Sequence, residues 1–153
     1  MNNKGLTFLI TLLLLRLVIG GAMFEAGLDK FLSGTFSATG YLSHGTGPFA
    51  GLFQNLTTDI AALNQLVIWG EMLVGIALIL GVLVRFASFW GAVMMLLYYL
   101  PYLPPTNGWI SQQIIYLIIF LLLMFSGAGY FLGLDSLIRQ FEGKKRWLRY
   151  IFG

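Results

Sequence analysis

Two charged residues of this sequence lie inside apolar stretches that are long enough to cross a membrane. Arg16 lies within Leu6–Phe31, and Glu71 lies within the stretch from Ile60 to Val84. A charge near the centre of a bilayer costs at least about 2.5–3.5 kcal/mol, and an arginine side chain does not escape that cost by losing its proton. Each of these two residues therefore needs a partner, a water-filled cavity or both.

Counting along the helices predicts that Arg16 and Glu71 meet. At about 1.5 Å per residue, Arg16 lies about 15 Å from Leu6 and Glu71 about 16 Å from Ile60, on antiparallel neighbouring helices. An ion pair between them would offset both desolvation costs. One hypothesis is that this pair only locks two helices together. The other makes both residues catalytic in a polar cavity that receives a quinone headgroup, an anion or a proton. Arg16 would then stabilise an anionic substrate, and Glu71 would orient Arg16 or transfer a proton.

Four further residues are candidates for binding a cofactor. Lys30 would attract anions at the mouth of such a cavity. Tyr99 and Tyr116 are predicted near the same end of the bundle, where their rings could wall a headgroup site, with packing at the membrane interface as the alternative. Arg85, at the opposite end, is a candidate ligand-binding residue, with a topology anchor that contacts lipid phosphates as the alternative.

The elements that must position these residues are predicted to be membrane-spanning helices. The chain has 153 residues, of which 58% are hydrophobic and 10% are charged, against about 25% charged residues in soluble domains. We predict an all-α integral membrane protein that forms a single domain over residues 1–153. Its architecture is a four-transmembrane-helix bundle. The predicted spans cover about residues 6–32, 60–84, 86–103 and 111–134.

Two segments outside the spans are predicted to lie on the membrane surface. The loop from Ser33 to Thr58 combines glycine breakers with many apolar residues, which favours one or two interfacial helices over the bundle. The segment at about 136–150 carries apolar residues at helical spacing among basic ones, so we predict a basic amphipathic C-terminal helix. Asn55-Leu56-Thr57 matches a glycosylation sequon, and the pattern leaves its occupancy open.

The distribution of basic residues predicts the orientation. Four spans place both termini on one side of the membrane. Seven basic residues fall on that side, and Lys30 alone falls on the other. The positive-inside rule therefore predicts a multi-pass protein of the plasma membrane with both termini in the cytoplasm.

Composition also excludes several kinds of site. The chain has no cysteine and one histidine, His44, which is read as a surface residue of the glycine-rich loop. A persulfide, an iron–sulfur cluster, a disulfide and a haem held between two histidines of one chain are therefore excluded. No metal site is predicted. The basic residues also lack the pattern of a nucleic-acid-binding surface.

Three stretches resemble the motifs of the DoxX/DoxD-like family of membrane proteins. LLRLVIGGAMFEAGLDKF resembles the opening motif, GEMLVGIALILGVLVRFAS the second and GAGYFLGLD the closing motif. Together they follow the order of the family motifs along nearly the whole chain. The matching residues are Arg16, Gly20, Gly27 and Lys30 in the first, Glu71, Gly75, Gly81 and Arg85 in the second, and Gly127, Gly129, Gly133 and Asp135 in the third.

The resemblance implies a four-helix membrane bundle and kinship with the DoxD subunit of archaeal thiosulfate:quinone oxidoreductase. In that enzyme a second subunit, DoxA, takes part, so a DoxA-like or other soluble oxidoreductase is an expected partner. One position departs from the family pattern. Relatives carry a histidine just before the Ile-Ile-Tyr of the last span, and this chain has Gln113 there, whose neutral amide does not carry protons as a histidine does.

The function expected from these observations is that of a membrane subunit of a quinone-linked oxidoreductase. Its electron donor would be a reduced sulfur compound such as thiosulfate, and quinone would be its cofactor. A non-catalytic scaffold that recruits partner proteins through its basic C-terminal tail is the alternative. A small transporter that uses Arg16 and Glu71 as its gate is a weaker alternative, since inverted repeats are absent. Glycine-rich helix faces also suggest a homo-oligomer.

Deleting residues 143–153 separates the first two hypotheses. A scaffold should lose its partner with these residues, because they carry most of the basic charge of the C-terminal tail. An enzyme centred on the bundle should keep its ligand. Purification of the full chain and of the truncated chain, followed by mass spectrometry of copurified proteins and lipids, measures both outcomes.

Overall fold

The described part of the protein is built from helices. The computed structural model describes residues 3–103, 108–130 and 133–135, and within these ranges it contains no strand. The six α-helices are α1 (Asn3–Ser33), α2 (Thr39–Ser43), α3 (Ala50–Asn55), α4 (Ile60–Leu80), α5 (Val84–Tyr99) and α6 (Gln112–Ser126). Short 3₁₀ helices cover Leu56–Asp59, Leu100–Tyr102 and Ala128–Tyr130. The prediction of an all-α fold is confirmed for these residues.

Three of the described helices are long and apolar enough to cross a membrane. They are Asn3–Ser33, Ile60–Leu80, and α5 with its 3₁₀ extension, Val84–Tyr102. α6 is also apolar, but its 15 residues extend only about 22 Å, less than the roughly 30 Å of a hydrocarbon core. The count of four spans therefore stays a prediction.

The last two predicted spans differ from the observed helices. α6 ends at Ser126 instead of continuing to 134, because Gly127 adopts a left-handed conformation with φ 67°. α5 ends at Tyr99, and a 3₁₀ turn containing Pro101 follows it. The proline-containing turn 104–107 and the predicted surface helix 136–150 lie outside the described residues.

The turn between α4 and α5 lies earlier than the sequence indicated. The second span was predicted to continue to 84, but α4 ends at Leu80, where Gly81 has φ 68° and accommodates the left-handed cap without a Cβ penalty. Leu83 also has a positive φ, 52°, which is costly for a residue with a branched side chain. We call this end of the bundle the turn end, and the end that carries α2 and α3 the loop end.

Glycines allow α1 and α4 to pack closely. A Cβ added at Gly75 of α4 would lie 2.5 Å from the backbone N of Phe24, and one added at Gly20 would lie 3.0 Å from Leu78 Cβ. Small residues at such contacts let helix backbones approach, which is the main source of helix association in lipid. α5 pairs with α6 in a similar way, since Gly91 leaves room for the ring of Phe120. α4 and α5 contact each other much less than either contacts its partner.

The loop helices close the loop end of the bundle. Leu42 of α2 and Phe53 of α3 are buried in a small hydrophobic cluster against the beginning of α4 and the end of α5. Asn64 of α4 fixes the loop by accepting a hydrogen bond from Ala38 N (2.9 Å) and donating one to Phe36 O (3.2 Å). The expected short helices are present in this loop, and their position in the membrane interface stays a prediction.

The α1–α4 contact predicts different effects for two glycines of α1. A Cβ at Gly27 would lie 2.7 Å from Met72 Cγ and 2.8 Å from Met72 N, whereas nothing lies within 4 Å of a Cβ at Gly21. Gly27→Ala should therefore lower the free energy of unfolding by about 1–3 kcal/mol through overpacking. Gly21→Ala is the matched control and should be neutral or slightly stabilising, because alanine is the better helix former. Thermal unfolding in mild detergent measures both. A Gly27→Ala protein as stable as Gly21→Ala would contradict the close α1–α4 contact.

Candidate functional site

The register of α1 against α4 separates Arg16 from Glu71. Gly27 lies against Ile68 and Met72, and Gly20 lies against Gly75 and Ile79, so the two helices are antiparallel. Glu71 therefore lies level with Gly27, about eleven residues or about 16 Å along the helix axis from Arg16. The predicted Arg16–Glu71 pair is wrong. The count assumed that Leu6 and Ile60 lie at the two opposite membrane surfaces, so that similar distances from each reach the same level, but α1 extends well beyond the turn end of α4.

Arg16 belongs to a buried cluster at the turn end. Its exposed fraction is 2%, and its Nη1 donates a hydrogen bond to Ala128 O at 3.0 Å. The carboxylate of Asp135 interacts electrostatically with its guanidinium. Gly81 and Gly133 leave space for this large side chain, since a Cβ at either would lie within about 3 Å of Nη1 (2.8 and 3.0 Å).

Asp135 fixes the turn between α4 and α5. Its side chain is fully buried, with Oδ1 accepting from Leu83 N at 2.8 Å and Oδ2 from Val84 N at 3.1 Å. Its own N donates to Gly81 O at 2.9 Å. A carboxylate at the first amides of α5 satisfies donors that have no partner within the helix and lies at the positive end of the helix dipole. These contacts give Arg16 and Asp135 a structural role in the described part of the chain.

Glu71 instead forms a polar cluster near the loop end with Lys30 and Tyr98. Lys30 Nζ donates to Glu71 Oε2 at 2.6 Å and to Ala26 O at 3.2 Å. Tyr98 OH donates to Glu71 Oε1 at 2.9 Å. The carboxylate is almost completely buried, whereas the Lys30 side chain keeps 25% of its surface exposed. This cluster joins α1, α4 and α5, and we call it the Lys30–Glu71–Tyr98 triad.

The triad lies in the wall of a large groove between α4 and α5. The groove has a volume of about 760 Å³, which is within the usual range for small-molecule sites, and its walls are mainly apolar side chains. The polar side chains of the lining, including Ser37, Tyr41 and Gln113, accompany the triad towards the loop end. Leu83 and Phe86 line it at the turn end. The cavity is thus amphipathic along its length.

The loop end of the groove is closed by α2. Tyr41 OH donates to the backbone carbonyl of Tyr98, and Tyr102 OH donates to Tyr41 O at 2.8 Å. Burial raises the pKa of the Tyr41 phenol to about 12, with Tyr102 as a smaller cause, so the hydroxyl stays protonated as a donor at neutral pH. Backbone N–H groups of Thr46 and Gly47 both donate to Pro101 O at 3.0 Å and bind the loop to the end of α5.

The structure places the other predicted cofactor-binding residues away from the groove. Tyr99 OH donates to Trp109 O at 3.2 Å, and Tyr116 packs against the main hydrophobic core. Arg85 lies half-buried in the first turn of α5, at the turn end. These three residues do not line the groove, because successive residues of a helix differ by about 100° in direction.

Two residues that matter to the described site were missed from the sequence. Tyr98 reaches Glu71, but sequence reasoning chose its neighbour Tyr99 by depth alone. The signal that was available is the position of Tyr98 on α5. It lies three residues after Met95 and seven after Gly91, and therefore on the same buried face of the helix. Asp135 was noted as a motif residue and as a candidate cap of the C-terminal segment, and its contacts with the turn between α4 and α5 were not predicted. Lys30 lies in the wall of the groove, and its predicted role in attracting anions stays a prediction.

A comparison with protein families assigns the chain. The DoxX family model matches residues 11–100, a range that begins within α1 and includes the whole of α5. The chain belongs to the DoxX family. Searches of curated proteins and of solved structures found no match. Family membership and the three long apolar helices together indicate an integral membrane protein.

The described residues contain no group of three or more His, Asp or Glu side chains that could hold a metal ion. The polar groups of the triad are one ammonium, one carboxylate and one phenol, a set that favours hydrogen bonding and proton transfer over metal coordination. The triad can donate a hydrogen bond from the Lys30 ammonium to an oxygen of a ligand. This donor lies in the polar part of an otherwise apolar groove.

The turn-end cluster predicts a large effect of removing one carboxylate. Asp135→Ala leaves the amides of Leu83 and Val84 without their acceptor and removes the negative charge beside Arg16. We expect a loss of about 3–5 kcal/mol in the free energy of unfolding, typical of removing one member of a buried charged contact. Asp59→Ala is the control, because Asp59 is exposed and its side chain forms no cap hydrogen bond. Equal unfolding temperatures for the two variants in detergent would contradict the assigned role of Asp135.

Proposed function

We propose that this DoxX-family protein binds a quinone in the groove between α4 and α5 and serves as the membrane subunit of a quinone-linked oxidoreductase. The observation that carries the proposal is the placement of the Lys30–Glu71–Tyr98 triad in the wall of a long apolar groove. Quinones of membranes combine a ring bearing two carbonyl oxygens with an isoprenoid tail. A polar headgroup site with an apolar extension matches that chemistry.

The donors of the triad fit a quinone ring. A carbonyl oxygen accepts hydrogen bonds, and both Lys30 Nζ and Tyr98 OH are donors. Lys30 carries three N–H groups, of which two donate to Glu71 and Ala26, and the third can donate to a ligand. Glu71 accepts from both donors, so it fixes their positions and balances the ammonium charge in a medium of low dielectric. The single O–H of Tyr98 is donated to Glu71, so in this arrangement Lys30 donates to the ligand, while Glu71 and Tyr98 hold the ammonium in position.

The apolar walls fit the tail. Several side chains of the groove are themselves largely exposed, including Leu66 (71%), Leu73 (59%) and Leu97 (47%). In a bilayer such surfaces face the acyl chains, so a lipid-soluble ligand can reach the groove from the side without crossing water. The closed loop end and the open side together favour lateral access by a hydrophobic ligand.

The electron donor of the proposed reaction belongs to another component. A bound quinone supplies two-electron acceptor chemistry, and the chain itself has no cysteine that could form a bond with sulfur. By its likeness to DoxD, thiosulfate or a related reduced sulfur compound is the proposed donor, with a DoxA-like subunit as the proposed partner. This part of the proposal rests on the family likeness and not on the groove.

The triad predicts that two adjacent tyrosines of α5 behave differently. Tyr98→Phe removes the hydrogen bond to Glu71 Oε1 that helps to position Glu71 and the Lys30 ammonium, so the affinity for quinone should fall about fivefold, which corresponds to about 1 kcal/mol for one hydrogen bond. Tyr99→Phe removes a hydroxyl that binds Trp109 O outside the groove and should leave the affinity unchanged. Titration of the purified protein with a short-chain quinone, together with chromatography of extracted native quinone, measures both.

Two results would contradict the proposal. One is the absence of quinone binding by the unmodified chain in both measurements. The other is an equal effect of the two substitutions. Reduction of quinone by thiosulfate in proteoliposomes that contain the chain and a candidate partner tests the oxidoreductase part separately.

A further inference from the structure

A second, smaller cavity reaches Lys30 from the side opposite the groove. It has a volume of about 370 Å³ and is lined by residues of the last turn of α1, the following loop and the first turns of α4. Its polar lining comes from Lys30, Asn64 and Gln65, with Ala61 and Ile68 completing the α4 side. We call this cavity the notch.

Lys30 and Phe36 form the wall between the notch and the groove. Both residues line both cavities. Lys30 Nζ lies 5.5 Å from the centroid of the Phe36 ring, a cation–π contact that holds the ammonium beside the ring. On the groove side the same ammonium is hydrogen-bonded to Glu71. The ammonium is therefore placed where the two cavities approach each other.

The two cavities differ in the share of polar residues in their walls. The groove is walled by leucine, valine, phenylalanine and tryptophan side chains along most of its length, whereas three of the eight residues that line the notch are polar, namely Lys30, Asn64 and Gln65. The notch also lies close to the loop end of α4. Gln65 is about 8 Å and Ile68 about 12 Å along the helix from Ile60, the first residue of α4.

We infer that the notch is the aqueous access to the triad, through which the Lys30 ammonium exchanges protons with water at the loop end. A proton donated by Lys30 to an oxygen of a ligand in the groove breaks one N–H bond and forms one O–H bond. A proton from water in the notch then restores the N–H bond. The ligand reaches the ammonium from lipid, and the proton reaches it from water.

The access through the notch does not depend on what occupies the groove. It rests on the proposed function only for the identity of the proton acceptor. The groups that face Lys30 and could share its proton are Glu71 of α4 and, through Glu71, Tyr98 of α5. Glu71 is 3% exposed and Lys30 is 25% exposed, so among these two Lys30 is the one that water reaches.

Cysteine labelling tests the inference, because the native chain contains no cysteine. Gln65→Cys places a thiol in the notch, and Leu66→Cys places one in the lining of the groove at the same depth of α4. Both positions are exposed in the structure. In a membrane the environments differ, since a charged thiol reagent reacts only with a hydrated thiolate.

We expect a charged methanethiosulfonate reagent, added to proteoliposomes from both sides, to modify Gln65→Cys at least about tenfold faster than Leu66→Cys, a difference of about 1.4 kcal/mol in activation free energy. Ile68→Cys and Val67→Cys repeat the comparison one turn deeper, again with one residue in the notch and one in the groove. Equal rates within both pairs, or faster modification on the groove side, would overturn the inference.

The outcome is independent of the quinone proposal. Fast labelling in the notch together with no quinone binding would keep the aqueous access and reject the ligand. Quinone binding with an unreactive notch would keep the ligand and reject the access. Elution of each variant as a single species in gel filtration confirms that the compared proteins are folded.

Discussion

The cost of burying charge in an apolar bundle determines how the described helices are arranged. Arg16, Glu71 and Asp135 are each no more than 3% exposed. An ion at such a site is tolerated only where opposite charge and hydrogen-bond partners compensate for lost hydration. The described residues meet this requirement in two separate clusters, one at the turn end and the other, the triad, near the loop end. Each cluster joins parts of the chain that are far apart in sequence, and the intervening helices must lie where these contacts can form.

The element types could be predicted from the sequence, and the register could not. Apolar length and composition predicted the helices α1, α4 and α5, and the motifs predicted the DoxX family, both of which are confirmed. The positions of Arg16 and Glu71 within their spans did not reveal that α1 extends beyond α4. That offset is set by Gly20, Gly27 and Gly75, each of which fits one particular backbone on the other helix. Which residue of α4 a glycine of α1 contacts depends on the positions of both helices. The spacing of apolar residues along one helix does not reveal it.

The same offset places the residues of the family motifs in two groups, at the two ends of the bundle, that have different roles. Arg16, Gly81, Gly133 and Asp135 meet at the turn end, where every described contact serves to hold the turn between α4 and α5. Lys30 and Glu71 meet near the loop end, beside a groove. Motif membership therefore did not separate residues of a scaffold from residues of a site. Among the described residues, Lys30 and Glu71 line the groove whereas Arg16 and Asp135 do not, and this difference separates the two groups.

The groove itself follows from unequal packing among the helices. α1 pairs closely with α4 and α5 with α6, while α4 and α5 contact each other much less. That turn includes Leu83 at a positive φ, an unfavourable conformation that persists because Asp135 accepts a hydrogen bond from its amide. A relaxed turn would let α5 approach α4 differently and change the width of the space between them. The buried cation–carboxylate contact at the turn end thus stabilises the turn at one end of this space, where Leu83 itself lines the groove, and Glu71 is buried in the wall nearer the loop end.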